Sequence, residues 1–227
     1  MPNWCNNFLV ITGKKKNVSL INMKIDSIQS PVYNEQGEVA TPGDNLFETL
    51  VGLGLEEKGI TRAEYDNGRW YDHNVERFGT KWDPSREHFD NYGFEIDGDD
   101  ATLSLQVTTA WDSCYPFACL LSKRYDVAVN LTAEEGGNDF YYKIKIEDGE
   151  VIDFDNYSWS QGHYIDDEEY FWESIVEDAM EYVWGDETEN AHEVLRKQFD
   201  YVNKKDMEEI LEMYDQYVKE QEKEEAE

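Results

Sequence analysis

Glu169, Glu173, Glu177 and Glu181 recur every four residues, with Tyr170, Asp178, Tyr182 and Trp184 set among them. On a helix that interval keeps the four carboxylates along one face at about 6 Å per step. Like charges so placed destabilise an isolated helix by about 0.2–0.5 kcal/mol per pair, so the row works against the element that carries it. What such a row can do is hold cations. Duplex DNA offers one negative charge per roughly 1.7 Å of axis to the Lys and Arg tracks of its binding proteins. A rigid acidic helix can occupy the same tracks, with Tyr and Trp supplying the anchors that protein interfaces favour. The expectation is a partner protein with a basic nucleic-acid-binding groove, met through Glu169, Tyr170, Glu173, Glu177, Asp178, Glu181, Tyr182 and Trp184. A merely solvated acidic face is the alternative.

No other reactive side chains fall at a catalytic spacing. His73, His88, His163 and His192 are scattered, and Cys114 and Cys119 lack the two-residue gap of a zinc knuckle. Gly136-Gly137 is followed by neither the glycine nor the lysine of a phosphate loop. Asp97-Gly98-Asp99-Asp100 and Asp153-Phe154-Asp155-Asn156 offer oxygen ligands for Ca²⁺ or Mg²⁺, but neither completes an EF-hand. Tyr164 stands where the second would need its twelfth-position Glu, and both stretches read more simply as turns. Cys5, beside Trp4, reads as a small buried hydrophobe. No catalytic residue, metal or cofactor is assigned, and the expectation is a protein that is not an enzyme.

The elements that position these residues follow from pattern. Asn6 to Gly13 is a short β-branched apolar run closed by a glycine, the mark of a central strand buried on both faces. Val18 to Ile28 has helical spacing, and Ser30-Pro31 ends it. Residues 31–90 read as an insertion with turns at Asn34-Glu35-Gln36-Gly37 and Thr41-Pro42-Gly43-Asp44. Its Trp70, Tyr71, Phe78 and Trp82 could stack on bases, but with Asp66, Asp72, Glu76 and Asp83 around them they read as pins holding the insertion to the domain. Phe89–Ile96 and Ala101–Thr108 form a hairpin, Pro116–Tyr125 a helix, and Val127–Leu131 and Phe140–Ile146 two further strands.

The order is β-α-(insertion)-β-β-α-β with one extra strand, a split βαβ arrangement. This is an α+β fold: a ferredoxin-like antiparallel sheet with helices on one face over residues 1–155, then an acidic helical subdomain over 156–227. Phe171, Trp172, Ile175, Val176, Ala179 and Val183 form the core stripe of its first long helix. Asp186 and Glu189 are spaced as a capping box for the next, whose inner face is Ala191, Val194, Leu195, Gln198 and Val202. A third helix spans about 206–218, and residues 219–227 read as frayed.

The totals bear on partners. The chain carries 51 acidic and 20 basic residues, a net charge of −31. Residues 148–227 alone hold 27 acidic and six basic ones, two-thirds of the net charge. Disorder commonly accompanies such charge, but seven tryptophans and fifteen tyrosines argue for a packed interior. Three unpaired cysteines and no long apolar span point to the cytoplasm, with no membrane contact. Direct nucleic-acid binding is not expected from so negative a field.

Three stretches carry a family resemblance. Met1-Pro2-Asn3-Trp4-Cys5-Asn6-Asn7, followed by a strand and a glycine, resembles the opening of the phage- and plasmid-encoded YubB ferredoxin-like family. Trp70 through Phe78-Gly79-Thr80-Lys81-Trp82-Asp83 is similar to its Trp…Asn…Trp-Gly-Thr-Lys-Trp-Asp element, with Phe78 in place of a tryptophan. Thr109-Ala110-Trp111, Pro116 and Glu134-Glu135-Gly136-Gly137 resemble its Thr-x-Trp…Pro-Pro…Glu-x-Gly element, with Cys114-Tyr115-Pro116 where paired prolines are usual. The resemblance spans residues 1–155 and implies a ferredoxin-like fold and a mobile-element origin, but no activity. With that origin, the expected partner becomes a host defence component such as a restriction or CRISPR protein. The competing expectation is a ferredoxin-like nucleic-acid-binding or scaffold module, with Phe94, Lys143 and Lys145 on the sheet.

Overall fold

The computed structural model describes residues 3–34, 36–37, 39–185 and 190–224. Contacts divide the chain into two compact units, Met1–Asn156 and Tyr157–Glu227.

In the first unit β1 (Trp4–Lys14) runs between two antiparallel partners. It is followed by α1 (Lys15–Ser27), a small hairpin of β2 (Val32–Tyr33) and β3 (Val39–Thr41), and α2 (Leu46–Val51). Then come α3 (Trp70–Phe78), β4 (Phe89–Asp97), β5 (Asp100–Ala110) and α4 (Tyr115–Tyr125). β6 (Val127–Glu135), β7 (Phe140–Glu147) and β8 (Glu150–Tyr157) complete one sheet of order β4-β5-β1-β6-β7-β8. Within it β1-α1-β4-β5-α4-β6 is the split βαβ unit. Asn7 lies opposite Val107 on one side and Ala133 on the other, which fixes the register at the centre.

Within the first unit, helices cover the sheet on one face only. Cys5, Leu9 and Ile11 of β1 are buried, whereas the alternate residues Trp4, Phe8 and Val10 are exposed, which corrects the expectation of a strand buried on both sides. An antiparallel sheet with one helical layer leaves its second face open, and a β-branched run reads alike in either setting. α2 contributes to the covered side: Leu46, Phe47 and Leu50 are fully buried, and the Phe47 ring lies 4.1 Å from that of Phe117 in α4 and 5.2 Å from Phe78. The inserted stretch therefore shares the core of the sheet.

Two strands, not one, follow the split βαβ unit. Asp153-Phe154-Asp155-Asn156, which reads as a turn, lies within β8. All of β8 but its last residue is exposed, so no buried face imposes apolar alternation on its sequence, and acidic residues on an edge deter further pairing.

The second unit holds α5 (Trp159–Asp166), α6 (residues 168–185), α7 (Ala191–Gln198) and α8 (Lys204–Glu224). Phe171, Ile175, Val176, Ala179, Met180 and Val183 bury one side of α6 against Leu195, Phe199, Ile210 and Leu211. Gln198, placed by spacing on the inner face of α7, is exposed, and Phe199 takes the interior position. α8 runs to Glu224 and so takes in residues 219–224 of the stretch that reads as frayed, since Lys, Glu and Gln are good helix formers; residues 225–227 lie outside the described residues. The Asp186–Glu189 capping pair lies outside the described residues. Among the described residues, no helix is long and apolar enough to cross a membrane.

Candidate functional site

On α6, Glu169, Glu173, Glu177, Asp178 and Glu181 are all exposed. The middle of the helix, Phe171–Val176, is a π-type turn. In an ideal α-helix a four-residue step overshoots one turn by about 40°, so such a row winds around the surface. The wider turn takes more residues and offsets that drift, bringing Glu169, Glu173 and Glu177 towards one line. Counting Glu168, six exposed carboxylates fall within residues 168–181, or one per roughly 3–4 Å at the usual helical rise. A single DNA strand carries one phosphate per roughly 3.4 Å of axis.

Among the described residues no lysine or arginine forms an ion pair with Glu169, Glu173, Glu177, Asp178 or Glu181. Lys204 instead pairs with Glu208 at 3.6 Å, and His192 Nε2 lies in hydrogen-bond contact with Asp215 Oδ1 at 2.7 Å. The negative surface continues across a groove of about 330 Å³, where Glu177 and Glu181 face Gln216, Tyr217 and Glu220 of α8 over Met180 and Met213. Of the aromatic candidates, Tyr182 is 67% exposed and free to act as an anchor. Tyr170 is exposed but packs on His163 at 4.7 Å and Trp159 at 5.9 Å, while Trp184 is partly buried.

A second site, which spacing did not single out, lies at one end of the first unit's sheet. Fully buried Asn7 organises it: its Nδ2 donates to Val107 O at 3.1 Å and Thr109 Oγ1 at 2.8 Å, and its Oδ1 accepts the Cys114 N–H at 2.9 Å. Thr80 Oγ1 exchanges bonds with the Ala110 backbone, donating at 3.3 Å and accepting at 3.1 Å. Trp111 N–H donates to Asn3 O at 2.9 Å, and Asn138 Nδ2 donates to Trp111 O at 3.1 Å. Buried Glu135 accepts the N–H groups of Gly137 and Asn138. The three separated motifs thus meet.

Beside this junction is a pocket of about 290 Å³ with Trp4, Trp70 and Trp82 in its walls, along with Asp83 and His88. The Trp4 ring lies 5.8 Å from Trp82 and 5.5 Å from His88, and Lys81 Nζ sits 3.7 Å from the Trp82 centroid and 4.4 Å from Trp111. Asp83 accepts the Phe47 and Glu48 N–H groups at 2.7 and 2.8 Å, yet burial pushes its carboxyl up to about 7. Trp111 holds φ +74°, a left-handed conformation uncommon for a bulky residue. Of the aromatics expected to pin the insertion, Phe78 is fully buried and Trp70 packs against the core, while Tyr71 is exposed and Trp82, also exposed, lies against Trp4. Cys5 is buried, which pushes its thiol up to about 12, and burial also raises Cys114, so both stay protonated and inert.

The open sheet face gives less. Phe94 lies opposite buried Leu103 and packs towards the core, so it is not available there. Lys145 pairs with Asp153 at 3.3 Å.

The sheet order and the β-α-β-β-α-β path define a ferredoxin-like α+β protein. Residues 91–174 match the family model described as the ferredoxin-like domain in Api92-like protein. The crystal structure of a protein api92 from Yersinia pseudotuberculosis is similar over 70% of this chain and 99% of that one, with 10% sequence identity and a TM-score of 0.44. No curated protein matches this chain.

Proposed function

We propose that this chain is a non-catalytic inhibitor of mobile-element origin. It acts in the host cytoplasm by occupying the basic nucleic-acid groove of a defence protein with the acidic face of α6 and its continuation on α8. The reading rests on one observation: a row of exposed carboxylates that no described lysine or arginine neutralises, at roughly the charge spacing of a nucleic-acid strand. The mobile-element setting comes from the YubB resemblance of the three motifs that meet beside Asn7.

The test uses the full chain as bait in host lysate, with duplex DNA as competitor. A basic protein should be retained at about 50 mM salt, largely lost by about 200 mM, and displaced by the DNA. Reversing Glu173, Glu177 and Glu181 to lysine should weaken retention more than tenfold with an unchanged circular dichroism spectrum. Retention that ignores salt and competitor, or survives the triple reversal, sinks the proposal.

One observation favours a second reading: Phe8 is exposed at the centre of the open sheet, where a base could stack. A mobility shift with single-stranded RNA or DNA at physiological salt separates the two, because the inhibitor reading requires none.

A further inference from the structure

Four of the seven tryptophans, Trp4, Trp70, Trp82 and Trp111, gather at one end of the sheet, three of them lining the pocket beside Asp83. We propose that this pocket binds a methylated ammonium group, either on a small molecule or on a lysine side chain. The inference concerns the first unit alone and stands independently of the acidic face.

Geometry disfavours the obvious alternative, a nucleobase held between rings. Sandwiching a flat base requires ring planes about 7 Å apart, twice the carbon contact distance. Trp4 and Trp82 are 5.8 Å apart and canted by 36°, and Trp4 and His88 are 5.5 Å apart and canted by 28°. Canted indoles bordering a cavity of about 290 Å³ suit a rounded group of modest size. Trp4 is 44% exposed and Trp82 40%, so both remain accessible.

Charge selects a cation. Two charged side chains line the pocket: Asp83, whose carboxyl accepts two backbone N–H groups and, among the described residues, has no lysine or arginine ion pair, and Lys81, whose ammonium sits over the Trp82 and Trp111 rings. The chain's negative field repels a phosphate and favours a cation, and a cation bound beside the Asp83 carboxyl, which burial raises to about 7, would favour its ionised form. The cluster already holds one cation on its ring faces, since Lys81 Nζ lies over both Trp82 and Trp111.

Hydrogen bonding selects methylation. Much of the polar lining is already engaged: Asn74 accepts from the Tyr65 hydroxyl and donates to Lys81 O, Ser85 Oγ meets His88 Nδ1, and Thr109 Oγ1 serves Asn7 and Asp112. Of the several donors on a primary ammonium or a guanidinium the Asp83 carboxyl can take one, and these engaged walls leave the rest unmatched. A trimethylammonium group brings none and gains the ring faces instead.

The experiment titrates the full chain with choline and, separately, with a trimethyllysine peptide, read by tryptophan fluorescence and calorimetry. Saturable binding of choline points to a free ligand; binding of the peptide alone points to a protein tail. The neutral isostere 3,3-dimethylbutanol and an unmodified lysine peptide should each bind at least tenfold more weakly. Trp82→Ala and Asp83→Asn should each weaken binding at least tenfold while Trp82→Phe retains most of it, with folding checked by thermal melts. No saturable binding of either probe, equal binding of the neutral isostere, or tighter binding of adenosine would overturn the assignment, and none of these readouts depends on a variant.

Discussion

Asn7 shows how much a single amide can organise. It is fully buried in the central strand, and its side chain ties β1 to β5 and to the start of α4. Asn7→Ala strands a buried Cys114 N–H and removes the bonds to Val107 O and Thr109 Oγ1. Leaving such groups unpaired costs about 1–3 kcal/mol each, so denaturant unfolding should show a loss of about 2–4 kcal/mol. A loss below about 1 kcal/mol means that the network does not hold the junction. Asp83 makes a prediction of the opposite kind. Its carboxyl is raised from 3.8 to about 7, chiefly by burial, so between those values the folded state binds a proton that the unfolded state has released. Stability from this group is therefore fully present below about pH 4 and declines as pH rises towards 7. The melting temperature of the native chain minus that of Asp83→Asn should fall across that interval and level off above it. A difference that rises with pH reverses the sign and refutes the shift.

At the scale of elements, what was legible follows from local pattern. The strand at Asn6–Gly13, the hairpin around Gly98 and the helix opened by Pro116 each carry their signal within a few residues, and together they imply the sheet order. Three things lay beyond that range. Whether β1 is covered on one face or two depends on how many helical layers the rest of the chain supplies. β8 is an exposed edge, where acidic residues are tolerated and read as loop. The tryptophan pocket joins Trp4, Trp82 and Thr109, far apart in sequence, and no spacing rule links them; the family motifs marked these residues without showing that they converge. Gly79 makes that convergence possible. It ends α3 at φ +84°, and a Cβ there would lie 2.5 Å from Ser113 O and 2.8 Å from Pro116 Cδ. Gly79→Ala combines backbone strain with a clash against backbone, so it should destabilise by more than about 1 kcal/mol. It should also alter tryptophan emission by moving Trp82; an unchanged spectrum and melt would show that the loop can shift without cost.

Over the whole molecule, a net charge of −31 opposes compaction, and its distribution makes the opposition uneven. Residues 148–227 carry two-thirds of it, and on α6 the carboxylates at 169, 173, 177 and 181 stand side by side with no described cation against them. Added salt screens this repulsion: the Debye length falls from about 30 Å at 0.01 M to about 3 Å at 1 M. The fold should therefore melt at higher temperature in NaCl, while complexes made through the same carboxylates weaken, so one variable drives folding and binding in opposite directions. The stabilisation should also be local. Hydrogen exchange at about 0.01 M and about 0.5 M NaCl should show protection rising in α6 and α8 more than in β1 and β5, whose charge is sparser and whose core lies beneath a full helical layer. Uniform protection across both units would mean that the charge acts on the molecule as a whole, and the acidic face would lose its standing as a distinct, unneutralised surface.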